Sequence, residues 1–141
     1  MKKIYIASDH AGYKLKEFLI KKLVKKNKIF DMGSNSSSLS TSYSILAHKL
    51  CRQVSKNKKN VGILICGSGM GMSMAANKHK KIRAALCYSV KNTKLSRLHN
   101  DANVITLGER LINKSLATKC INTFLKTKFE GGRHLKRVKN I

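Results

Sequence analysis

The 141-residue sequence has no proline, no tryptophan, 6% aromatic residues and only 6 acidic side chains. No apolar run approaches the roughly 18 residues that a membrane-spanning helix requires, so a helical membrane protein is excluded. Cysteine is sparse as well. Cys51, Cys66, Cys87 and Cys120 form no Cys-x-x-Cys pair and have no histidine at metal-ligand spacing, so neither a zinc site nor a disulfide framework is indicated. The apolar stretch that follows Lys2-Lys3 is too short for a secretory signal and runs into what reads as a core strand. The expected setting is therefore reducing, intracellular and cytoplasmic.

What is present is apolar material and positive charge. At 42% hydrophobic residues the chain is too apolar to be disordered, and at this length one domain over residues 1–141 buries roughly 65 to 70% of its unfolded surface. Thirty basic residues against 6 acidic give a net charge of +24, which raises the question of a polyanionic partner. The lysines are scattered from Lys2 to Lys139 rather than gathered with aromatics into one stripe, as stacking on nucleic-acid bases would need. A solvated lysine-rich surface is the simpler reading, and a nucleic-acid binder the competing one.

Strand-length apolar runs alternate with helical patterns along the chain. Strands are expected at Ile4 to Ala7, Ile29-Phe30, Val61 to Cys66, Ile82 to Tyr88 and Val104 to Leu107. Helices are expected around Leu15 to Leu23, Ile45 to Val54, Met70 to Lys78, Val90 to Leu98 and Leu111 to Leu125, with a short basic helix after Gly131-Gly132. This alternation predicts right-handed crossovers and an α/β fold, a parallel sheet covered on both faces. Val61 to Cys66 and Ile82 to Cys87 are nearly continuous in apolar character, and both are expected in the middle of the sheet. Residues 34–44 break the rhythm as a serine-rich loop. Ligands in open parallel sheets sit at the carboxyl ends of strands, so chemistry is expected after Ser8, Cys66, Tyr88 and Gly108.

The sharpest local feature is Cys66-Gly67-Ser68-Gly69-Met70-Gly71, a thiol at a strand tip followed by alternate glycines and a helix. Met72 stands where a dinucleotide fingerprint needs glycine and where a cysteine phosphatase needs arginine, and no Gly-Lys-Ser/Thr follows for a P-loop. What remains is a thiol acidified by a helix start beside amides able to hold an oxyanion, which suits proton abstraction next to a carbonyl. A structural cysteine before a tight turn would look the same. Asp9-His10, His99-Asn100 and the i,i+4 pair Arg133 and Arg137 are expected to join it at the same rim.

Five blocks taken together carry a resemblance: Ser8-Asp9-His10-Ala11-Gly12, Ile65 to Gly71, Ala75-Ala76-Asn77-Lys78, Leu95 to Val104, and Phe129-Glu130-Gly131-Gly132-Arg133-His134. In order and over nearly the whole chain, they resemble the ribose-5-phosphate isomerase B family, which also contains galactose-6-phosphate isomerase subunits. The resemblance implies a three-layer αβα sandwich around a doubly wound five-stranded parallel sheet of order 2-1-3-4-5. It implies aldose–ketose isomerisation in the pentose phosphate pathway without metal or cofactor, in a homodimer or dimer of dimers whose sites lie between subunits.

By the same resemblance Cys66 is the base, Ser68 assists it, and the amides of Gly67, Gly69, Met70 and Gly71 hold the enediolate. His99 opens the sugar ring, Asp9 and Asn100 hold sugar hydroxyls, and His10, Arg133 and Arg137 take the phosphate. Arg110 is a further substrate ligand and Tyr43 lines the site. A hexose 6-phosphate is the alternative substrate.

Overall fold

A computed structural model describes residues 2–25 and 27–141. The strands are β1 (Lys3–Ser8), β2 (Lys28–Asp31), β3 (Val61–Cys66), β4 (Ala84–Leu86) and β5 (Val104–Gly108). The helices are α1 (Tyr13–Leu23), α2 (Tyr43–Val54), α3 (Met70–Ala76), α4 (Val90–Leu98), α5 (Lys114–Lys126) and α6 (Arg133–Lys139). Local chemistry fixes the helix starts. The Ser42 hydroxyl accepts from the Ile45 N–H at the start of α2, Ser89 and Asn92 form a reciprocal capping box on α4, and the Asn113 side chain caps α5.

All five strands are parallel, in the order β2-β1-β3-β5-β4. The expected order 2-1-3-4-5 is thus corrected in its last two places, since β5 inserts between β3 and β4. Burial explains the difference. Every residue of β5 is buried, as an inner strand must be, whereas the three residues of β4 are only half-buried and suit an edge. Of the two strands expected in the middle, only β3 is there, and the fourth strand is three residues rather than seven.

Two apolar layers enclose the sheet. Leu15, Leu19 and Leu23 of α1 pack with Ala117, Ile121 and Phe124 of α5 against Ile4, Ile6, Ile63 and Ile105. On the other face Ala47, Leu50 and Val54 of α2 pack with Met72 and Ala76 of α3 against Ala7, Leu64 and Val104. The chain leaves β1 toward β2 over one face and returns to β3 over the other. The carboxyl ends of β1 and β3 are therefore the point where the winding reverses and a crevice opens. The Asp9 N–H donates to the Ile65 carbonyl at 3.2 Å and ties the two loops together there.

Candidate active site

At the end of β3, Cys66 is 5% exposed, and the Gly69 N–H donates to its Sγ at 3.1 Å. Gly69 holds φ +77°, a left-handed conformation that turns its amide back on the sulfur and that a side chain would strain. The Met70 N–H donates to the Ser68 hydroxyl oxygen at 3.3 Å, so Ser68 keeps its own proton to donate. Tyr43, at the start of α2, packs against the turn: a Cβ on Gly71 would come within 2.5 Å of its ring. Arg110 follows β5. Its N–H donates to the Gly67 carbonyl at 3.0 Å, and a Cβ on Gly67 would lie 3.0 Å from its Nη1. The turn thus gives the sulfur one amide donor, with the Arg110 guanidinium packed at Gly67 and the Tyr43 ring at Gly71.

Asp9 and His10 complete this carboxyl-edge group. Asp9, 6% exposed, accepts from the Gly12 N–H at 3.1 Å with Oδ1 and caps the short 3-10 turn before α1. His10 is clamped to the serine-rich loop: its Nδ1 accepts from the Thr41 N–H and its own N–H donates to Thr41 Oγ1, each at 3.2 Å. With Nδ1 bound as an acceptor, the ring proton of the neutral form stands on Nε2, a donor suited to an anion. Nothing in the serine-rich run marks Thr41 as the residue that orients His10.

The remaining expected residues are elsewhere. Helix α4 runs back from the carboxyl edge, and His99 follows its last turn at the amino edge of the sheet, ahead of Asn100. Cys66 pairs with Gly108 at the far end of β5, and the length of that strand alone is roughly 13 Å. The expectation of one common rim is therefore corrected. His99, Asn100, Arg133 and Arg137 form a second group at the opposite edge of the same chain, because α4 and α5 both carry the chain back to where the strands begin.

In that second group the His99 and His134 rings stack at 4.2 Å between centroids and 14° between planes. The Glu130 carboxylate stands 3.9 Å from His99 Nε2 and 3.8 Å from His134 Nε2. Burial, then the neighbouring His99 and Arg133 charges, push the His134 pKa down and favour the neutral ring. His99, Glu130 and His134 could offer three donors to a metal ion. Against that use, the Arg133 Nε–H donates to His134 Nε2 at 3.4 Å, occupying the lone pair a metal would take. Glu130 and His134 were not singled out from sequence, although both stand in the block around Arg133.

The other cysteines differ in kind. Burial pushes the Cys51 thiol up to about 12 and also raises Cys87 and Cys120, as expected of thiols sealed in a core.

Residues 4–141 match the model of the Ribose/Galactose Isomerase family. The chain belongs to that family. Ribose-5-phosphate isomerase B of Escherichia coli is 40% identical over 142 residues, covering 100% of this chain and 95% of that protein. Among solved structures, ribose 5-phosphate isomerase B from Anaplasma phagocytophilum matches with a TM-score of 0.94 and 45% identity, over 99% of this chain and 96% of that one. The Mycoplasma genitalium enzyme, solved with bound ribulose-5-phosphate, matches with a TM-score of 0.95 and 42% identity, over 99% and 93%. For a member of this isomerase family, a cysteine beside inward-facing amides is the natural place to look for the proton-transfer base.

Proposed function

We propose that this protein interconverts ribose 5-phosphate and ribulose 5-phosphate, with the chemistry centred on Cys66. The observation that carries the assignment is the Gly69 amide 3.1 Å from Cys66 Sγ, in a turn where the Gly67, Ser68 and Gly71 amides donate to no partner among the described residues and can receive a developing oxyanion. Named ribose-5-phosphate isomerase B relatives of nearly equal length support the choice of substrate.

In the proposed reaction His99 moves a proton between the ring oxygen and O1 of the furanose, opening it to the aldehyde. The Cys66 thiolate then takes the proton from C2. The electron pair shifts to the C1 oxygen, where the amides of residues 67–71 stabilise the enediolate. The Cys66 proton then returns to C1 while the Ser68 hydroxyl gives its proton to O1 and takes the one on O2, which yields the ketose and restores Ser68. Asp9 and Asn100 hold sugar hydroxyls, while His10, Arg133 and Arg137 fix the phosphate and so orient the reacting carbons from a distance. Arg110 and Tyr43 wall the pocket.

Because the two residue groups stand at opposite edges of one chain, the working site takes its Cys66 side from one copy and its His99 side from another. Helix α6, which carries both phosphate arginines, meets its own chain through the stack of His134 on His99, and Leu135 on it is exposed. Both features suit docking against a second copy in a homodimer or dimer of dimers. Four free, buried cysteines fit a reducing cytoplasm.

The deciding experiment compares kcat/KM for ribose 5-phosphate, allose 6-phosphate and galactose 6-phosphate. Ribose 5-phosphate is expected to lead by at least about tenfold, the discrimination a pocket achieves against one extra carbon unit. A lead for either hexose phosphate would replace the pentose assignment.

A further inference from the structure

A cavity of about 550 Å³ opens at the amino edge of the sheet, away from Cys66. Its walls are the loop between α2 and β3, the residues just before β4 and β5, and the end of α6 at Val138 and Lys139. Lys2, Lys58, Lys59, Lys80, Lys81 and Lys139 all line it. None of these six lysines pairs with a carboxylate among the described residues.

Two arginines on the same wall are held rigidly. Asp101, the one acid among the lining residues, binds Arg83 Nη2 at 3.0 Å and Arg97 Nη1 at 2.9 Å. Arg83 Nε and Nη2 also donate to the Asn100 and Asp101 carbonyls, and Arg97 Nε donates to the Thr127 carbonyl at 3.2 Å. Arg83 Nη1 and Arg97 Nη2 have no partner among the described residues, so each fixed guanidinium keeps donors in reserve. The lysine-bearing loops are pinned too: Asn60 Nδ2 donates to the Gln53 carbonyl at 3.0 Å and Asn103 Nδ2 to the Lys81 carbonyl at 2.8 Å.

A concave surface with this much uncompensated charge concentrates its potential and attracts polyvalent anions. Partial burial, and after it the nearby Arg97 charge, push the Lys2 ammonium pKa down, and a bound anion would offset the second of these. The volume lies within the roughly 300 to 1,000 Å³ of small-molecule sites. The aromatic on the wall, Phe124, is 2% exposed and offers no platform for a base, which favours a compact anion over a nucleic acid.

We propose that this cavity is a second anion site, for a small ligand carrying two or more phosphate groups, separate from the site around Cys66. Calorimetric titration of the full chain with inorganic tripolyphosphate, at about 0.15 M salt, tests it. Saturable binding is expected at one site per chain, at least about tenfold tighter than orthophosphate, since several fixed cations engage several charges at once.

Lys59→Glu/Lys81→Glu should lose at least about tenfold, and the milder Lys59→Gln/Lys81→Gln pair should weaken binding in the same direction. Lys14→Glu/Lys119→Glu makes the same charge change at exposed positions on α1 and α5, and Arg133→Ala/Arg137→Ala removes the proposed sugar-phosphate ligands; both should bind tripolyphosphate within about twofold of the parent. Absence of saturable binding, an equal loss in the Lys14/Lys119 pair, or loss of binding with the two arginines would each overturn the proposal.

Discussion

Four thiols are buried in this chain, and among the described residues a backbone amide donates to only one of them, Cys66. Burial keeps the other three protonated, with Cys51 pushed up to about 12, and position is what the proposal for Cys66 rests on. Cys66→Ala should lower kcat by about a thousandfold, within the span usual for a positioned base, and leave KM within about threefold. Steady-state kinetics on ribose 5-phosphate checks this, and an undiminished kcat would remove Cys66 from the mechanism. The Cys66-to-Gly71 run was legible because alternating glycines are a local signal. The His10–Thr41 clamp was not, because 31 positions separate the partners and a serine-rich run gives no register.

Elements divide along the same line between local and distant information. The order of strands along the chain could be read from the apolar rhythm, but not which one sits at the edge, since Ala84-Ala85-Leu86 is as apolar in sequence as an inner strand. Lys16 was missed for a related reason: it stands next to Leu15 on the buried side of α1, fully buried, with its ammonium 2.6 Å from Asp31 Oδ2 and 3.1 Å from Glu17 Oε1. Removing its nearer partner leaves a buried charge half-compensated. Asp31→Ala should therefore destabilise the fold by about 2 kcal/mol, discounted because Asp31 is partly exposed, whereas Lys16→Met should cost less. Urea unfolding of both variants checks the order.

The junction of α4 with the 130–134 segment predicts a pH dependence. The His134 pKa is lowered in the fold by burial, His99, Arg133 and Arg137, and only partly restored by Glu130. Above the ordinary value of 6.5 both folded and unfolded chains hold it neutral, and it contributes nothing. As pH falls below that value the unfolded chain takes a proton that the folded chain resists, so stability should decline with acid. His79 is lowered by burial, His48 and Arg52 and acts in the same direction. Thermal melts at about pH 7.5 and about pH 5.5 should show a drop that His134→Gln makes smaller; an unchanged drop in that variant would assign the effect to other groups.

On the scale of the whole molecule, the decisive feature is that the residues proposed for the site stand in two groups at opposite edges of one sheet. Sequence motifs name the members of a site without saying which end of a strand or helix they occupy. That is why the sequence proposes His99 and Arg133 without placing them. If the halves meet across a two-fold axis, lesions in different halves complement each other. A copy bearing Cys66→Ala still carries an intact His99, and a copy bearing His99→Asn still carries an intact Cys66, so a mixed dimer has one complete site and one doubly broken one. Each variant alone should be nearly inactive. Equal amounts unfolded together and refolded should recover about a quarter of parental activity, since about half the dimers are mixed and each has one working site of two. Activity that stays at the level of the separate variants would mean that each chain completes its own site, by a movement that brings α6 and His99 across the sheet.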